Sequence, residues 1–344
     1  MISMADIAKE AKVSRTSVSL ALNERYIDGV SISEDIRNRI KKIAAKHGYR
    51  HNVLASSMTK GKSRMIGCLG LDQSEESALF VGQIMTAAIK AAAARDYSLK
   101  LLSSEATVEQ LLDEICGYRL SGVIIRSRNH KMLERLTERL EHYHVPAVLV
   151  DTNYSDLGMS SVNSDDAEGV RQAVHHLYEL GHRRINFIGF EDFTPFTIVR
   201  RGGYIQGLEE CGLKLENNPC YFTDPGELRH PFERVEILAA KLLQEKTRPT
   251  AIIGNCDEVA LLVLRAAWRL GINVPDQLSV IGVGDISPDL FSCPPLTTVA
   301  RPYLSMGAAA LNKLIDAPEE TSNMVLPVNL VIRQTTAVCP INVE

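Results

Sequence analysis

Between residues 5 and 22 the apolar positions recur at helical spacing. Ile7, Ala8 and Ala11 fall on one face of a first short helix. Lys12-Val13 reads as a tight turn, and Ser14 is placed to cap a second helix over 15–22 whose Val18, Ala21 and Leu22 face inward. The small Ala8 and Ala21 let these two helices cross closely. A third amphipathic helix starts at Ser33, where Glu34 and Asp35 suit its N-terminal dipole, and runs through Ile36, Ile40, Ile43 and Ala44 to a stop at His47-Gly48. Two short helices joined by a tight turn, with a third beside them, make a helix-turn-helix pattern; the second helix of that motif enters a DNA major groove.

Past residue 64 the rhythm changes. Short β-rich apolar runs at 65–71, 98–102, 122–125, 147–150, 185–190, 251–253 and 279–283 alternate with helical patterns at 84–95, 108–116, 132–143, 167–180, 232–245 and 258–270. Such alternation predicts parallel sheets covered by helices on both faces. The strands are too many for one small sheet, and the polar stretch 152–163 reads as a crossover between two lobes. The fold class expected is a small all-α head followed by a two-lobed α/β domain. Ligands of such folds sit beyond the carboxyl ends of the strands, here in a cleft between the lobes.

Composition divides the chain along the same line. With 344 residues it has room for two or three domains, and 45% hydrophobic with 23% charged residues is ordinary globular composition. A net charge of −4 argues against a nucleic-acid partner until it is split. Residues 1–64 carry 13 Lys/Arg against 6 Asp/Glu, a net of +7, so the remainder carries −11. A basic head on an acidic body implies different partners for the two, with DNA phosphates fitting the head. The first six residues do not form a basic region ahead of an apolar run, and no apolar stretch approaches the roughly 20 residues of a membrane span. Seven cysteines without CxxC spacing fit reduced thiols. A soluble cytoplasmic protein without a membrane partner is expected.

Asp6-Ile7-Ala8-Lys9-Glu10-Ala11, Val13-Ser14-Arg15-Thr16-Ser17-Val18-Ser19 and Leu22-Asn23 resemble the N-terminus of the LacI/GalR family of bacterial transcription regulators. Gly48-Tyr49-Arg50-His51-Asn52 and Leu54-Ala55-Ser56-Ser57-Met58 resemble that family's hinge segment. The resemblance implies that Arg15, Thr16 and Leu20 read bases and that Ser14, Ser19, Asn23 and Tyr49 hold phosphates. Met58 stands where the family inserts a leucine into the minor groove, and it can still wedge a base step. Lys12 replaces the usual turn glycine, which strains the backbone if its φ is positive. Leu20 stands where many relatives have arginine, so a thymine methyl replaces guanine as its natural contact. The stretch 23–33 is longer than usual, and His51 and Ser56 replace the hinge proline and arginine.

Leu180-Gly181-His182-Arg183-Arg184-Ile185, Val274-Pro275-Asp276-Gln277-Leu278-Ser279-Val280 and Pro294-Pro295-Leu296-Thr297-Thr298-Val299 are similar to the effector domain of the same family, a periplasmic-binding-protein-like fold. The division implied is a DNA-binding domain over 1–50, a hinge helix and linker over 51–63, and an effector-binding and dimerisation domain over 64–344. Lobe 1 would take 64–162 and 292–322, and lobe 2 would take 163–291 and 323–344. Strand-end residues Asp72, Arg126 and Asp151 are candidates for the cleft. The resemblance adds Arg200, Asp257, Asp285, Arg301 and Tyr303, with Phe80 and Phe196 as stacking rings. Cys256 replaces an asparagine of the family, and Gly284 replaces an aspartate that usually holds sugar hydroxyls. Arg126, Arg200 and Arg301 converging on one cleft favour an anionic effector, a sugar phosphate or sugar acid. A neutral sugar stacked on Tyr303, Phe196 or Phe80 is the second reading. A third reading has one or two of these arginines only pairing with Asp151, Asp257 or Asp285 in structural salt bridges.

Other signals are weak. Gly61-Lys62-Ser63 lacks the first glycine and the strand of a P-loop, and Gly282-Val283-Gly284 lacks the third glycine of a dinucleotide fingerprint. His142/His144 and His175/His176 lack zinc-ligand partners, and Cys256-Asp257 has no histidine placed beside it. No catalytic set, cofactor or metal is expected. The expectation is an effector-controlled repressor that binds double-stranded operator DNA as a homodimer and takes a small carbohydrate-derived effector. The resemblance leaves room for a protein corepressor on the first lobe. The competing classes are a sugar-binding sensor without a DNA role and a two-lobed α/β enzyme.

Overall fold

Capping sets the helices of the head. Ser3 opens α1 (Met4–Ala11) with a reciprocal box: its hydroxyl accepts from Asp6 N at 3.3 Å and its own N–H donates to Asp6 Oδ2 at 2.9 Å. The chain leaves α1 through Lys12 at φ 53°, so the position where glycine is usual does adopt the left-handed conformation. Ser14 Oγ then accepts from Ser17 N at 3.0 Å and starts α2 (Arg15–Asn23). With α3 (Glu34–Lys46), these helices close on Ile7, Ala8, Ala11, Val18, Ala21, Ile40 and Ala44. The computed structural model describes residues 2–23, 32–50, 63–71, 78–152, 154–190, 194–223, 230–286, 288–318 and 320–340, and these fall into two units, Met1–Ser63 and Arg64–Glu344.

The second unit holds two six-stranded sheets. The first comprises β1 (Met65–Leu69), β2 (Ser98–Leu102), β3 (Gly122–Ile125), β4 (Ala147–Val150), β5 (Ser160–Ser164) and β11 (Asn323–Leu326), in the order β11-β5-β4-β3-β1-β2 with every neighbour parallel. The second comprises β6 (Ile185–Gly189), β7 (Cys220–Phe222), β8 (Ala251–Gly254), β9 (Ser279–Gly284), β10 (Thr297–Ala300) and β12 (Asn329–Val331). Its order is β12-β10-β9-β8-β6-β7, and only β10–β12 is antiparallel. The central strands are buried along their length, as their unbroken apolar runs require. Helices cover both faces of each sheet. On the first, Val81, Ile84, Met306 and Ala310 pack on one side, and Leu111, Ile115, Leu133 and Leu136 on the other.

Strand order reverses once in each sheet, between β1 and β3 and between β6 and β8, and a crevice forms where neighbouring connections part to opposite faces. The close approach at the first reversal depends on Gly70. A Cβ there would lie 1.7 Å from the Arg126 carbonyl oxygen, and its φ of 70° also suits glycine.

Lobe membership differs from the expectation at two places. Residues 297–300 belong to the second sheet, because β10 extends the parallel ladder beside β9 (Thr297↔Ile281), and only the helix Tyr303–Asp316 that follows lays Met306, Leu311 and Leu314 on the core of the first lobe. Residues 323–326 belong to the first sheet, where β11 pairs with β5 (Asn323↔Ser161). The polar stretch 152–163 is not all crossover either. Its last residues enter β5, whose serines bond sideways: Ser160 Oγ donates to Glu320 O at 3.1 Å and Ser161 Oγ to Asn323 Oδ1 at 3.0 Å. Among the described residues no helix is long and apolar enough to cross a membrane.

His182 ties the base of the second sheet to the tail. Its Nδ1 meets Thr250 Oγ1 at 2.9 Å, and its Nε2 meets Ser279 Oγ at 3.0 Å and Ala337 O at 3.1 Å. Burial lowers its pKa, and burial lowers that of His176 as well. A histidine harder to protonate when folded stabilises fully above its unfolded pKa of about 6.5, and that contribution fades as pH falls below it. Thermal unfolding is therefore expected to shift to lower temperature between about pH 7 and 5. His182→Ala should cost about 2 kcal/mol at pH 8 and flatten that slope; an unchanged slope would contradict the assignment.

Candidate functional site

On the head, Arg15 and Thr16 stand exposed in the first turn of α2, where side chains and helix N–H groups can meet DNA. Ser14 is exposed and caps the helix, while Ser19 and Tyr49 are half-buried; the Tyr49 ring packs against the head core and its hydroxyl pKa is raised by burial. Leu20 departs from its expected role. It is only 3% exposed, so its side chain is not presented to a base edge. Met58 and Asp72 lie outside the described residues, as does the side chain of Asn23.

In the second unit the strand ends bring charged side chains into one buried chain of ion pairs. Asp151, just past β4 with φ 52°, accepts from Arg126 Nε at 3.0 Å and from Arg301 Nη2 at 2.5 Å. Arg301, just past β10, donates through Nε to Asp166 Oδ1 at 2.8 Å and to Ser164 Oγ at 2.9 Å, and through Nη1 to the Tyr303 hydroxyl at 3.3 Å. Asp166 opens the helix Asp166–Glu179 and accepts on Oδ2 from Arg200 Nε and Nη2, both at 2.7 Å. Arg200 completes the chain by donating through Nη1 to the Asn255 carbonyl.

Burial alone would raise the Asp151 carboxyl, but Arg301 and Arg126 hold it well below the usual range. Asp166 is lowered in the same way: burial opposes, and Arg200 and Arg301 outweigh it. Both carboxylates stay charged at neutral pH, and burial pushes the Tyr303 hydroxyl up, so it stays protonated.

Around this ladder lie two adjoining cavities. The smaller, about 560 Å³, is lined by Ser127, Thr152, Asn163 and Ser164 together with Pro195, Phe196 and Val199. The larger, about 880 Å³ including space open to solvent, is lined by Phe80, Phe190, Phe232 and Tyr303 among others. Arg126, Arg128, Asp151, Phe196 and Arg301 line both. Phe80 stacks on Tyr303 (centroids 5.0 Å, 22°) and lies under the Arg126 guanidinium at 4.9 Å. Phe196 meets Arg128 and Arg200, each at 5.1 Å.

Seven of the expected cleft residues therefore come together: Phe80, Arg126, Asp151, Phe196, Arg200, Arg301 and Tyr303. Two do not line either cavity. Asp257 is fully buried, accepting from Thr298 Oγ1 at 2.5 Å and Ile286 N at 3.2 Å, and its carboxylate lies against Gly282 and Gly284, where a Cβ would clash. Asp285 is paired with Arg333. Arg301 and Arg200 do sit in salt bridges, but Asp166 is a principal partner that sequence reasoning missed, because β5 ahead of it was hidden in a polar stretch. Arg128, Phe190 and Phe232 were also missed. Phe190 directly follows β6, so the strand-end rule could have found it. Burial pushes the Cys256 thiol far up, against a nucleophilic role.

The sequence profile of bacterial regulatory proteins of the lacI family matches residues 3–52, and that of the periplasmic binding protein-like domain matches residues 174–336. The HTH-type transcriptional repressor CytR of Escherichia coli K12 is 29% identical, over 98% of this chain and 97% of its own. Catabolite control protein A of Priestia megaterium is also 29% identical, over 97% of this chain and 99% of its own. In three dimensions the lac repressor dimer, crystallised with operator and the anti-inducer ONPF, superposes with a TM-score of 0.82 at 23% identity, over 98% of this chain and 99% of that one. The chain thus joins a lacI-family helix-turn-helix region to a periplasmic-binding-protein-like domain, and its homologues are lacI-family repressors.

Proposed function

We propose that this protein is a cytoplasmic, homodimeric, sequence-specific repressor whose operator affinity is set by a small anionic effector, a sugar phosphate or sugar acid, bound in the interlobe cleft. One observation carries the effector class. Asp151 fixes Arg126 through Nε and Phe80 supports its face, yet among the described residues its Nη1 and Nη2 make no hydrogen bond. A guanidinium fork held in this way is preorganised for two oxygens of a carboxylate or phosphate. The three converging cations expected from sequence thereby reduce to one open fork, since every nitrogen of Arg200 and Arg301 already donates within the protein.

Regulation follows if the effector prefers one lobe arrangement. A ligand touching Arg126 of the first lobe and Phe196 of the second can shift the population only by its difference in affinity for the two arrangements. The change would reach the heads through the segment that joins them. Two heads, each of +7, would meet the phosphates of a two-fold operator. A neutral sugar is the second reading, favoured by the five aromatic side chains around the larger cavity.

Anionic sugars at a hundredfold over their Kd should stabilise the protein by about 2.7 kcal/mol, seen as a rise in Tm. Arg126→Gln should lose that rise, and a neutral hexose that stabilises both proteins equally would contradict the anion. DNA fragments selected by the full chain from a random library should bind with a steep inverse salt dependence. Arg15→Ala should weaken a selected site by about 1–3 kcal/mol and relax preference at one base; binding without sequence preference would contradict the repressor reading.

A further inference from the structure

We propose that the effector carries a flat aromatic ring joined to its anionic group, which makes it a ring-bearing sugar phosphate; a nucleoside monophosphate is the simplest example. This rests on the anion reading of the Arg126 fork and extends it to the rest of the ligand.

The larger cavity is walled by one aromatic pair from each lobe. Phe80, on the helix Ala78–Ala93, stacks on Tyr303, and both pack with the core of the first lobe. Phe190 and Phe232, packed with the core of the second lobe, lie 5.7 Å apart at 40°. A flat ring between the lobes can present its faces to both pairs, and such stacking is sequence-tolerant and favourable.

A sugar ring also stacks on aromatics, so the hydrogen-bonding groups decide. A polyhydroxylated ring needs acceptors around its rim. The acids are committed elsewhere: Asp257 to Thr298 and Ile286, Asp285 to Arg333, and Asp151 with Asp166 to the ladder. Among the described residues, Asp151 and Glu258 are the acids that line the larger cavity, and Asp151 is bound to Arg126 and Arg301. The smaller cavity instead offers hydroxyl and amide side chains, Ser127, Thr152, Asn163 and Ser164, with Arg126 and Arg128 on the same lining. Hydroxyl and amide side chains in one cavity and rings in the other, with Arg126 lining both, match a ligand with an anionic head and a flat ring. Held by both lobes, that ring would favour the closed arrangement.

Calorimetric titration of the full chain with uridine or adenosine 5′-monophosphate, ribose 5-phosphate and free uridine separates the parts. At least one monophosphate should bind about tenfold or more tighter than ribose 5-phosphate. Phe232→Leu, which keeps apolar bulk but loses the flat face, should erase that advantage and leave ribose 5-phosphate unchanged. Equal or tighter binding of ribose 5-phosphate, an equal loss for both ligands in Phe232→Leu, or no binding of either monophosphate at millimolar concentration would overturn the proposal. Uridine binding as tightly as its monophosphate, and indifferent to Arg126→Gln, would instead overturn the anion reading while keeping the ring.

Discussion

Two aspartates and three arginines, alternating and largely enclosed, link the two lobes of the cleft domain. Asp151 leaves the first sheet, Arg301 leaves the second, Asp166 opens a helix of the second lobe and Arg200 lies on the next helix. Each ion gives up several kcal/mol of hydration when buried, and the chain is tolerable only because each carboxylate meets two guanidinium groups at hydrogen-bond distance. Removing one member would strand the others, a loss of about 3–5 kcal/mol. The same enclosure shields the ladder from salt, unlike the exposed pairs of the head.

Much of the cleft follows from this constraint. With Arg301 and Arg200 neutralised, the end of the ladder at Arg126 keeps an open guanidinium fork toward ligand. Phe196 lines both neighbouring cavities, one with hydroxyl and amide side chains and the other with four further rings. Asp257, which the family pattern suggests for the ligand, instead braces the ends of β9 and β10 from beneath through Thr298 and the glycines of β9.

What was legible in the sequence is what periodicity and strand ends encode. The three head helices, most of the buried parallel strands and the residues just beyond β3 and β4 emerge from local pattern, since an apolar run fixes a strand and its end fixes the next side chain; Arg301, beyond β10, came from the family resemblance. The misses share a cause. Ser160–Ser164 is a strand with polar side chains because chain returning from residue 320 onward satisfies its hydroxyls, a long-range fact absent from local pattern. Losing that strand also lost Asp166. Asp257 came from the family resemblance, and its carboxylate turns inward to Thr298 and Ile286. Leu20 was misassigned because position on a helix does not specify what covers it.

One ladder couples the lobes through Arg301, so that Asp151 and Asp166 act as a unit. A double-mutant cycle with Asp151→Asn and Asp166→Asn, measured by equilibrium unfolding of the full chain, tests it directly. A coupling energy of about 1 kcal/mol or more is expected, because the first substitution already disrupts the partner that the second would lose. Losses that add within about 0.5 kcal/mol would mean that the two lobes hold their aspartates independently.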